Sequence, residues 1–400
     1  MAGANSKRIL QLIKAPGNDI CADCNSDEVD YASYNIGVFL CTLCAGVHSG
    51  LGAHISNVKH LKLGSWEDSQ VKQMGDVGNI VAQRVFEKLV PVYYRRPSKS
   101  TPQILRDQWI RAKYERKEFI HSSKQGYVGS CKEGYLLKRS KINDSLKPRR
   151  FVLSEQDGML KYFVGKKKEP KTEIRILEMN VSLAPEKCKS PASFQINYLN
   201  QGSTRHIYIY HNDPHVLIEW YMAIRSAKLN LLHVSYPTMA DADLLKFLTQ
   251  DFLKEGYLFK MGPKSSDAFR KRWFTLEGRK FMYHEKPMDA YPKGEIFLRT
   301  HKDGFSVCEG ASPTGDAKGR EQGFSFYLKT PTRCFWLYAE REDDREEWIN
   351  LLNVVMKQPL TPQDYYCKSN LKLIEILVFV KVEPLLLYNQ LIMFHYYLTI

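Results

Sequence analysis

The sequence predicts a multidomain α+β protein in which a small cysteine-rich module comes before two copies of an antiparallel β domain. Two observations support this prediction. Four cysteines near the N-terminus are spaced like the ligands of a single metal ion. A segment of about 100 residues then occurs twice, and in each copy several short alternating strands come before one helix.

The composition indicates a basic globular chain whose partner is anionic. Lysine and arginine together number 58 against 44 acidic residues, which gives a formal net charge of +14. This surplus favours phospholipid headgroups, nucleic acid or an acidic protein surface as the partner. The 44% hydrophobic content is ordinary for globular protein, so a chain of 400 residues can form several sizeable cores.

Cysteine usage favours a reducing, cytosolic compartment. The chain has nine cysteines, an odd number, and its first residues lack the apolar segment of a secretory signal. Four of the nine are candidate metal ligands. The other five are expected to be free thiols: Cys131, Cys188, Cys308, Cys334 and Cys367.

The metal site is predicted from two short knuckles. They read Cys21-Ala-Asp-Cys24 and, after sixteen intervening residues, Cys41-Thr-Leu-Cys44. Four thiolates at this spacing can surround one tetrahedral ion, and soft sulfur ligands favour zinc. The alternative is four unrelated buried cysteines. We expect one structural zinc ion, because four protein ligands leave no coordination position for a substrate.

The sequence around the knuckles resembles the zinc module of the Arf GTPase-activating proteins. Between the knuckles stands Tyr31-Ala-Ser-Tyr-Asn-Ile-Gly-Val-Phe-Leu40, and Ala45-Gly-Val-His-Ser-Gly-Leu-Gly-Ala-His-Ile-Ser56 and Trp66 follow them. The resemblance covers roughly residues 5–120 and implies that this module contacts an Arf-type GTPase. It departs at Ser49, because the family has there the arginine that acts as a finger on the transferred phosphoryl group.

Three helices are predicted in this module, to which we assign residues 1–121. The first spans 6–14, with Ser6 as its cap and Pro16-Gly17 after its end. The second spans 68–89, and its predicted apolar side is Val71, Met74, Ile80, Val81, Val85, Phe86 and Leu89. The third spans 104–119 and turns Leu105, Trp109 and Ala112 inward, while its many Arg and Lys residues are expected to form a solvated face.

The duplicated segment is recognised by three matching stretches and a closing helix. Lys132-Glu-Gly-Tyr-Leu-Leu-Lys138 recurs as Lys254-Glu-Gly-Tyr-Leu-Phe-Lys260, and the stretches that begin at Lys147 and Leu160 recur at Arg270 and Phe281. Each copy ends in a predicted helix with a tryptophan, over 216–229 and 343–356. The copies resemble pleckstrin-homology (PH) domains, which implies seven-stranded β-barrels, each closed by its C-terminal helix, over 130–231 and 252–358.

The PH resemblance implies a phosphoinositide site at each barrel mouth. In the family, a lysine ends the first strand and a basic-x-Arg pair begins the second, so that several cations face one polyanionic headgroup. The matching residues are Lys138, Lys147 and Arg149 in the first copy and Lys260, Arg270 and Arg272 in the second. Tyr162 and Tyr283 stand where the family often has a phosphate-contacting hydroxyl, and Lys141 and Lys264 lie in the adjacent loops. The alternative is ordinary surface charge on strands.

Three further stretches connect or follow these domains. Residues 126–130 are a predicted linker, 232–251 join the two copies through a short helix near 240–248, and 300–323 are a predicted mobile loop. Residues 359–400 form an atypical apolar tail. Its last 17 residues, 384–400, are uncharged and at the short edge for a membrane span, so a tail anchor is the alternative.

The order of domains resembles the dual-PH Arf GTPase-activating proteins of the centaurin-alpha type, from residue 5 to about 358. This implies a GTPase activator, not itself an enzyme, recruited from the cytoplasm to the plasma membrane by PtdIns(3,4,5)P3 or PtdIns(4,5)P2. An Arf-family GTPase is the expected partner, and the chain is expected to be a monomer. Because Ser49 lacks a charge, a scaffold that binds Arf and lipid without catalysis is the alternative. Arg8, Arg84, Arg95 and Arg96 are candidate substitutes for the finger.

A zinc-knuckle nucleic-acid binder is the third candidate, since the cysteine spacing is close to that of GATA-type fingers. Residues 21–44 nevertheless contain four acidic residues and no Lys or Arg. Recognition of nucleic-acid phosphates needs clustered cations near the contacting element. We therefore expect no nucleic-acid partner.

Overall fold

The structure, a computed structural model, describes residues 2–264, 267–310 and 323–361 together with Asp364. Two compact units divide these residues. The first takes Met1–Ile196 and Tyr208–Thr249, and the second takes Asn197–Ile207 and the described part of Gln250–Ile400. The cysteine-rich module and most of the first β domain therefore belong to one unit.

The cysteine-rich module combines a small antiparallel sheet, in the order β2-β1-β3, with short helices. Its core includes Ile9, Phe39, Trp66, Val71 and Met74. Its elements are α1 (Ala2–Leu12), β1 (Tyr31–Ser33), β2 (Val38–Leu40), α2 (Thr42–Ser49), β3 (Val58–His60), α3 (Asp68–Asp76), α4 (Gly78–Phe86), α5 (Gln103–Ile110), a π-helix (Arg111–Glu115) and a 3-10 turn (Ser122–Lys124).

Two of the helix predictions in this module were wrong in detail. α1 begins at Ala2, so Ser6 lies inside the helix and is not its cap. The single helix predicted over 68–89 is broken between α3 and α4, because Gly78 adopts a left-handed backbone with φ of +67°. The break turns the second half, so that Val71 and Met74 are buried but Ile80, Val81, Val85 and Leu89 are exposed.

The buried asparagine at the start of α4 explains why the chain turns there. The Asn79 carboxamide accepts a hydrogen bond from the Phe39 amide at 2.7 Å and donates to the carbonyls of Gly17 and Ile20. Its own amide donates to Asn18 Oδ1 at 2.8 Å. A continuous helix would place these groups elsewhere and leave several buried polar atoms without partners.

For the third helix, the predicted buried residues are confirmed, but the prediction that its Arg and Lys residues form a solvated face is wrong. Leu105, Trp109 and Ala112 are buried, as predicted. Arg106 and Lys113, which we expected in solvent, are each only 1% exposed. Both are buried because their charged groups meet partners from the knuckle region, described below.

Each β domain is a seven-stranded antiparallel sheet with one long C-terminal helix. The strand orders are β7-β6-β5-β4-β10-β9-β8 and β14-β13-β12-β11-β17-β16-β15, so the two topologies are identical. The first domain consists of β4 (Cys131–Arg139), β5 (Leu146–Ser154), β6 (Met159–Phe163), β7 (Thr172–Arg175), β8 (Asn180–Leu183), α6 (Pro185–Cys188), β9 (Ser193–Asn200), β10 (Ser203–Tyr210) and α7 (Pro214–Ser235).

The second domain repeats this order of strands and also ends in a helix. Its elements are β11 (Lys254–Met261), β12 (Phe269–Glu277), β13 (Lys280–His284), β14 (Gly294–Phe297), β15 (Ser306–Glu309), β16 (Phe324–Lys329), β17 (Cys334–Ala339) and α9 (Glu342–Lys357). The helix tryptophans, Trp220 and Trp348, are buried at 2% and 0% exposure. They stand beside Phe151 and Phe281 of their sheets, which confirms the predicted barrels closed by helices.

The connecting stretches only partly match their predictions. The short helix expected near 240–248 is present as α8 (Asp241–Leu244), which continues into a 3-10 turn (Leu245–Phe247). The loop predicted over 300–323 was wrong where it is described, because it contains the turn His301–Asp303 and strand β15. Residues 311–322, and the tail from 365 onward, lie outside the described residues.

Among the described residues, no helix has the length and apolar character needed to cross a bilayer.

Candidate metal centre and anion-binding clusters

The four predicted metal ligands come together in the first unit. The sulfur atoms of Cys21, Cys24, Cys41 and Cys44 all lie within 4.8 Å of one another, and every one of these side chains is buried. The Cys24 and Cys41 sulfurs are 3.5 Å apart, far longer than a disulfide bond. Ligands at about 2.3 Å from a tetrahedral zinc ion are themselves about 3.8 Å apart, so these thiols fit that ion.

Local backbone structure aims each pair of cysteines at the same point. In the first knuckle the Asn25 amide donates to the Cys21 carbonyl at 3.0 Å, and Asn25 takes a left-handed φ of 57°. In the second, Cys41 immediately precedes α2 and Cys44 lies in its first turn. A turn and a helix start, joined by the pair β1–β2, therefore build the cradle.

A buried arginine supports the cradle from α5. Arg106 Nη1 lies 3.3 Å from the Cys44 sulfur, and Nη2 donates to the carbonyls of Ser98 and Lys99 at 2.8 and 3.3 Å. Thiolates around zinc carry excess negative charge, and a guanidinium this close offsets part of it. The contact also anchors α5 to the knuckles. The sequence pattern did not reveal this role, because Arg106 is 62 positions from Cys44.

A second buried network ties the first knuckle to the end of α2. Asp23 is fully buried and its carboxylate lies 2.9 Å from Lys113 Nζ and 3.0 Å from His48 Nε2. Burial by itself would raise the pKa of Asp23, but the Lys113 ammonium and the His48 hydrogen bond hold it well below its usual range. The other His48 ring nitrogen is 2.8 Å from Ser56 Oγ. His48 is thereby fixed from both sides.

Ser49 follows this fixed histidine as the last residue of α2. It is exposed, and its hydroxyl donates back to the Ala45 carbonyl of its own helix at 3.0 Å. The side chain is neutral and short, so it projects no charge beyond the helix end.

Three of the four arginines considered as substitutes have partners in this unit. The exception is Arg84, which lies exposed on α4. Arg8 is exposed as well, so its ion pair with Asp68 is a weak surface contact. The contacts of the other three are Arg8 with Asp68, Arg95 with Tyr221 and Arg96 with Glu87. Arg96 also lies over the Trp109 ring at 4.8 Å. Each of these three would have to leave an existing contact before it could act elsewhere.

In the first β domain, the predicted basic residues gather at one end of the sheet. Lys138 and Lys147 are directly paired across β4 and β5. Arg149 is paired with Leu136, two residues further along each strand and on the same face of the sheet. Lys138 Nζ stands 5.5 Å from the centre of the Tyr162 ring. Tyr162 is only 4% exposed, so it faces the lysine with its ring. Lys141 lies in the exposed loop that joins the two strands.

The second β domain brings together the equivalent set. Lys260 and Arg270 are paired across β11 and β12, and Arg272 follows opposite Leu258. Lys260 Nζ lies 4.9 Å from the centre of the Tyr283 ring, and the loop of Lys264 is described only in part. Burial lowers the pKa of Lys260 to about 8, aided by the charges of Arg333 and Arg272.

Arg333 is a member of this cluster that the sequence analysis missed. It directly precedes β17, its guanidinium lies 4.5 Å from the Phe335 ring, and that ring is also 5.8 Å from Lys260 Nζ. The only sequence signal was its place before an alternating aromatic strand. Arg333 and Arg272 therefore disfavour the charged form of the buried Lys260, and the Asp267 carboxylate offsets part of their effect.

The first β domain is attached to the cysteine-rich module through α7. Arg225 on this helix is buried, and its Nε donates to the Tyr93 carbonyl at 2.7 Å. Its Nη1 donates to Thr249 Oγ1 at 2.7 Å and to the Thr249 carbonyl at 3.1 Å. These hydrogen bonds fix α7 of the first β domain against the cysteine-rich module.

Comparison with known proteins assigns every described domain to a family. Residues 6–123 match the model described as a putative GTPase-activating protein for Arf, and residues 131–229 and 252–357 match the PH domain. The human Arf-GAP with dual PH domain-containing protein 2 is 38% identical over 363 residues, which cover 90% of this chain and 94% of that protein. The protein of the same name from Rattus norvegicus is also 38% identical, over 90% of this chain and 96% of its own length.

Proposed function

Because the chain belongs to the Arf GTPase-activating proteins with two PH domains, we propose that it is a phosphoinositide-recruited regulator of an Arf-type GTPase. One observation carries this proposal. The chain combines a complete four-thiol module of the Arf-binding type with two basic clusters at equivalent places in its PH domains. In this proposal the protein is cytoplasmic and is recruited peripherally to the plasma membrane.

Zinc is the metal that the cysteine cradle fits, and its proposed role is structural. The four thiols would hold the ion and leave no coordination position for a substrate. When bound, the ion supplies a covalent staple between the two knuckles, and Arg106 offsets part of the thiolate charge. The rest of the module presents the surface that meets the GTPase.

The direct test of Arf recognition is recruitment of the GTPase to vesicles by this protein. The Arf used lacks its own membrane anchor and is loaded with either GTP or GDP. It is mixed with the protein and with vesicles that contain PtdIns(3,4,5)P3, and the vesicles are then recovered by flotation. Co-flotation of GTP-loaded Arf that requires both the protein and the lipid is the expected result. Equal recovery of Arf with and without this protein would overturn the proposal.

We expect the two basic clusters to act together on the membrane. Replacing Arg149 by Ala removes one charge-assisted contact, which should weaken vesicle binding by ~1.5–3 kcal/mol. The double variant Arg149→Ala with Arg272→Ala should nearly abolish vesicle binding. The double variant loses more because tethering makes the second contact effectively intramolecular. Flotation with PtdIns(3,4,5)P3 vesicles measures the loss.

The neighbouring cations provide a matched control for that experiment. Arg150 and Lys271 stand next to the two arginines in sequence but point to the opposite face of each sheet, where they pair with Glu133 and Glu340. The variant Arg150→Ala with Lys271→Ala removes the same number of charges and should keep its vesicle affinity. Equal losses in the two double variants would mean that net charge, not the clusters, drives binding.

Headgroup binding by the second PH domain should weaken above pH 8. An anionic ligand raises the pKa of Lys260 from its free value of about 8, so affinity is full below that pH and falls as the pH rises through it. From pH 7 to pH 9 the fall is at most roughly 10-fold, because one proton is involved. Calorimetric titration of inositol 1,3,4,5-tetrakisphosphate into the Arg149→Ala variant, in which the first PH domain is weakened, reports mainly on the second domain.

The variant Lys260→Arg in the same background is the control for pH dependence. Arginine stays charged throughout this range, so its affinity should be the same at pH 7 and pH 9. A fall of the same size in both proteins would place the titrating group elsewhere.

A scaffold without catalysis is the second candidate function, and Ser49 favours it. Fingers that neutralise the transferring phosphoryl group are worth roughly 10³–10⁵ in rate. Ser49 has no charge, and three of the four candidate arginines are held by other contacts. We therefore propose that binding to the GTPase is kept while acceleration of hydrolysis is weak.

A further inference from the structure

Helix α4 and the residues that follow it expose a group of apolar side chains in the cysteine-rich module. Of the 17 large apolar residues that are exposed in the described chain, five lie between positions 80 and 92. Single exposed apolar residues are normal on a protein surface, whereas a group of them marks a contact surface. The five are Ile80, Val81, Val85, Leu89 and Val92, each between 41% and 55% exposed.

The charges exposed beside these residues are all positive. Arg84 and Lys88 are exposed, and neither has an ion-pair partner among the described residues. The one acidic residue between 80 and 92 is Glu87, whose side chain is only 6% exposed and lies 2.7 Å from Lys113 Nζ. The exposed surface here is therefore apolar and cationic. We call it the α4 stripe, and it consists of Ile80, Val81, Arg84, Val85, Lys88, Leu89 and Val92.

The opposite side of α4 is fixed to the rest of the module. Asn79 and Ala82 are buried, and the hydrogen bonds of Asn79 hold the start of the helix. The Phe86 ring packs on Tyr114, with ring centres 5.0 Å apart. Because the helix is already ordered, little conformational entropy would be lost when its exposed side meets another surface.

The residue types of the α4 stripe fit an anionic bilayer better than a protein partner. Protein interfaces are rich in aromatic residues and Met and poor in Lys, but the stripe has no aromatic residue or Met and contains a Lys. Apolar side chains beside Lys and Arg are typical of helices that lie in a membrane interface, where long basic side chains reach lipid phosphates. The net charge of +14 favours the same anionic surface.

We propose that the α4 stripe lies flat on an anionic bilayer, with Val81, Val85 and Leu89 in the hydrocarbon boundary and with Arg84 and Lys88 at the lipid phosphates. This inference rests on the proposed recruitment to phosphoinositide membranes. It adds a membrane contact made by the cysteine-rich module itself, separate from the basic clusters of the PH domains.

Exposed valines on other helices provide a matched control. Val85 is 53% exposed on α4, and Val354 is 52% exposed on α9. Two ligands are titrated into each protein: soluble inositol 1,3,4,5-tetrakisphosphate, and vesicles of phosphatidylcholine, phosphatidylserine and PtdIns(3,4,5)P3. Val81→Ser with Val85→Ser should weaken vesicle binding by roughly 10-fold and leave binding of the soluble headgroup unchanged. Val234→Ser with Val354→Ser removes two exposed valines from α7 and α9 and should change neither affinity.

A spectroscopic measurement reports the membrane contact directly. With vesicles that contain brominated phosphatidylcholine, Val85→Trp should gain a quenched, blue-shifted emission component that Val354→Trp lacks. Unchanged zinc content and headgroup binding should show that the variants are folded, since the substituted side chains are exposed.

Three results would overturn the inference and leave the proposed function intact. The first is undiminished vesicle binding by Val81→Ser with Val85→Ser and no added quenching in Val85→Trp, while headgroup binding is normal. The second is loss of Arf co-flotation without loss of vesicle affinity, which would assign the α4 stripe to the GTPase. The third is a dimer of the unaltered protein in solution that the double variant lacks, which would assign the stripe to a second copy. Absence of both headgroup and vesicle binding in the unaltered protein would overturn the inference and the proposed function together.

Discussion

Replacement of Cys41 by serine should remove the metal and unfold the cysteine-rich module. Serine is a poor zinc ligand, and three thiols leave the second knuckle without its anchor. In small zinc modules the free energy of metal binding is what stabilises the folded state, and its apparent value is about 10–16 kcal/mol. That is as large as the total stability of an ordinary domain, which is about 5–15 kcal/mol, so the loss should be complete rather than partial.

Two buried basic residues make the loss measurable by limited proteolysis. Trypsin cleaves after Arg106 and Lys113, and each of these side chains is only 1% exposed. Both bonds should resist cleavage in the unaltered protein and be cut rapidly in Cys41→Ser. Metal content measured on the same samples should fall by one zinc per chain. Cys131→Ser, which alters an exposed cysteine on β4, is the matched control and should keep both the metal and the resistance. A Cys41→Ser protein that lacks zinc yet remains resistant at both sites would refute a structural role for the metal.

The features that the sequence predicted well were those encoded by local pattern. The spacing of Cys21, Cys24, Cys41 and Cys44 is a property of two short turns, and the structure brings these thiols together. The duplicated stretches likewise predicted two sheets with closing helices, because alternation along a strand and a buried tryptophan are visible without knowledge of the fold. The structure pairs Lys138 with Lys147 across β4 and β5, and the PH resemblance had placed these two lysines on adjacent strands.

The features that the sequence predicted poorly depend on contacts between residues that are far apart along the chain. Apolar periodicity runs through 68–89, but Asn79 hydrogen-bonds to groups 40 to 62 positions away and breaks the helix. Arg106 and Lys113 have the spacing of a solvated face, yet their partners Cys44 and Asp23 lie 62 and 90 positions away. Buried charges need such partners, and no window of the sequence contains both members. Arg333 was missed for the same reason.

Introduction of arginine at position 49 should turn a weak activator into a competent one. The side chain at this position is exposed at the C-terminal end of α2, where a cation is also favoured by the helix dipole. The fixed His48 keeps the backbone of the neighbouring residue in place. Ser49→Arg should therefore raise the single-turnover rate of GTP hydrolysis on Arf by at least roughly 10²-fold, within the range that such fingers supply.

Two further substitutions at the same position separate charge from size. Ser49→Gln adds length without charge and should leave hydrolysis slow. Ser49→Lys adds charge without the planar, bidentate guanidinium and should recover only part of the gain. All variants should recruit GTP-loaded Arf to vesicles equally well, since the proposal separates binding of the GTPase from stabilisation of the transition state.

The central claim is that this protein keeps the surfaces that bind lipid and Arf but lacks the catalytic cation. Single-turnover GTP hydrolysis on Arf with PtdIns(3,4,5)P3 vesicles, compared between the unaltered protein and Ser49→Arg, tests it most directly. The account predicts little acceleration by the unaltered protein and at least roughly 10²-fold more by the variant. Rapid hydrolysis with the unaltered protein and no gain from Ser49→Arg would contradict it and would show that another cation serves as the finger.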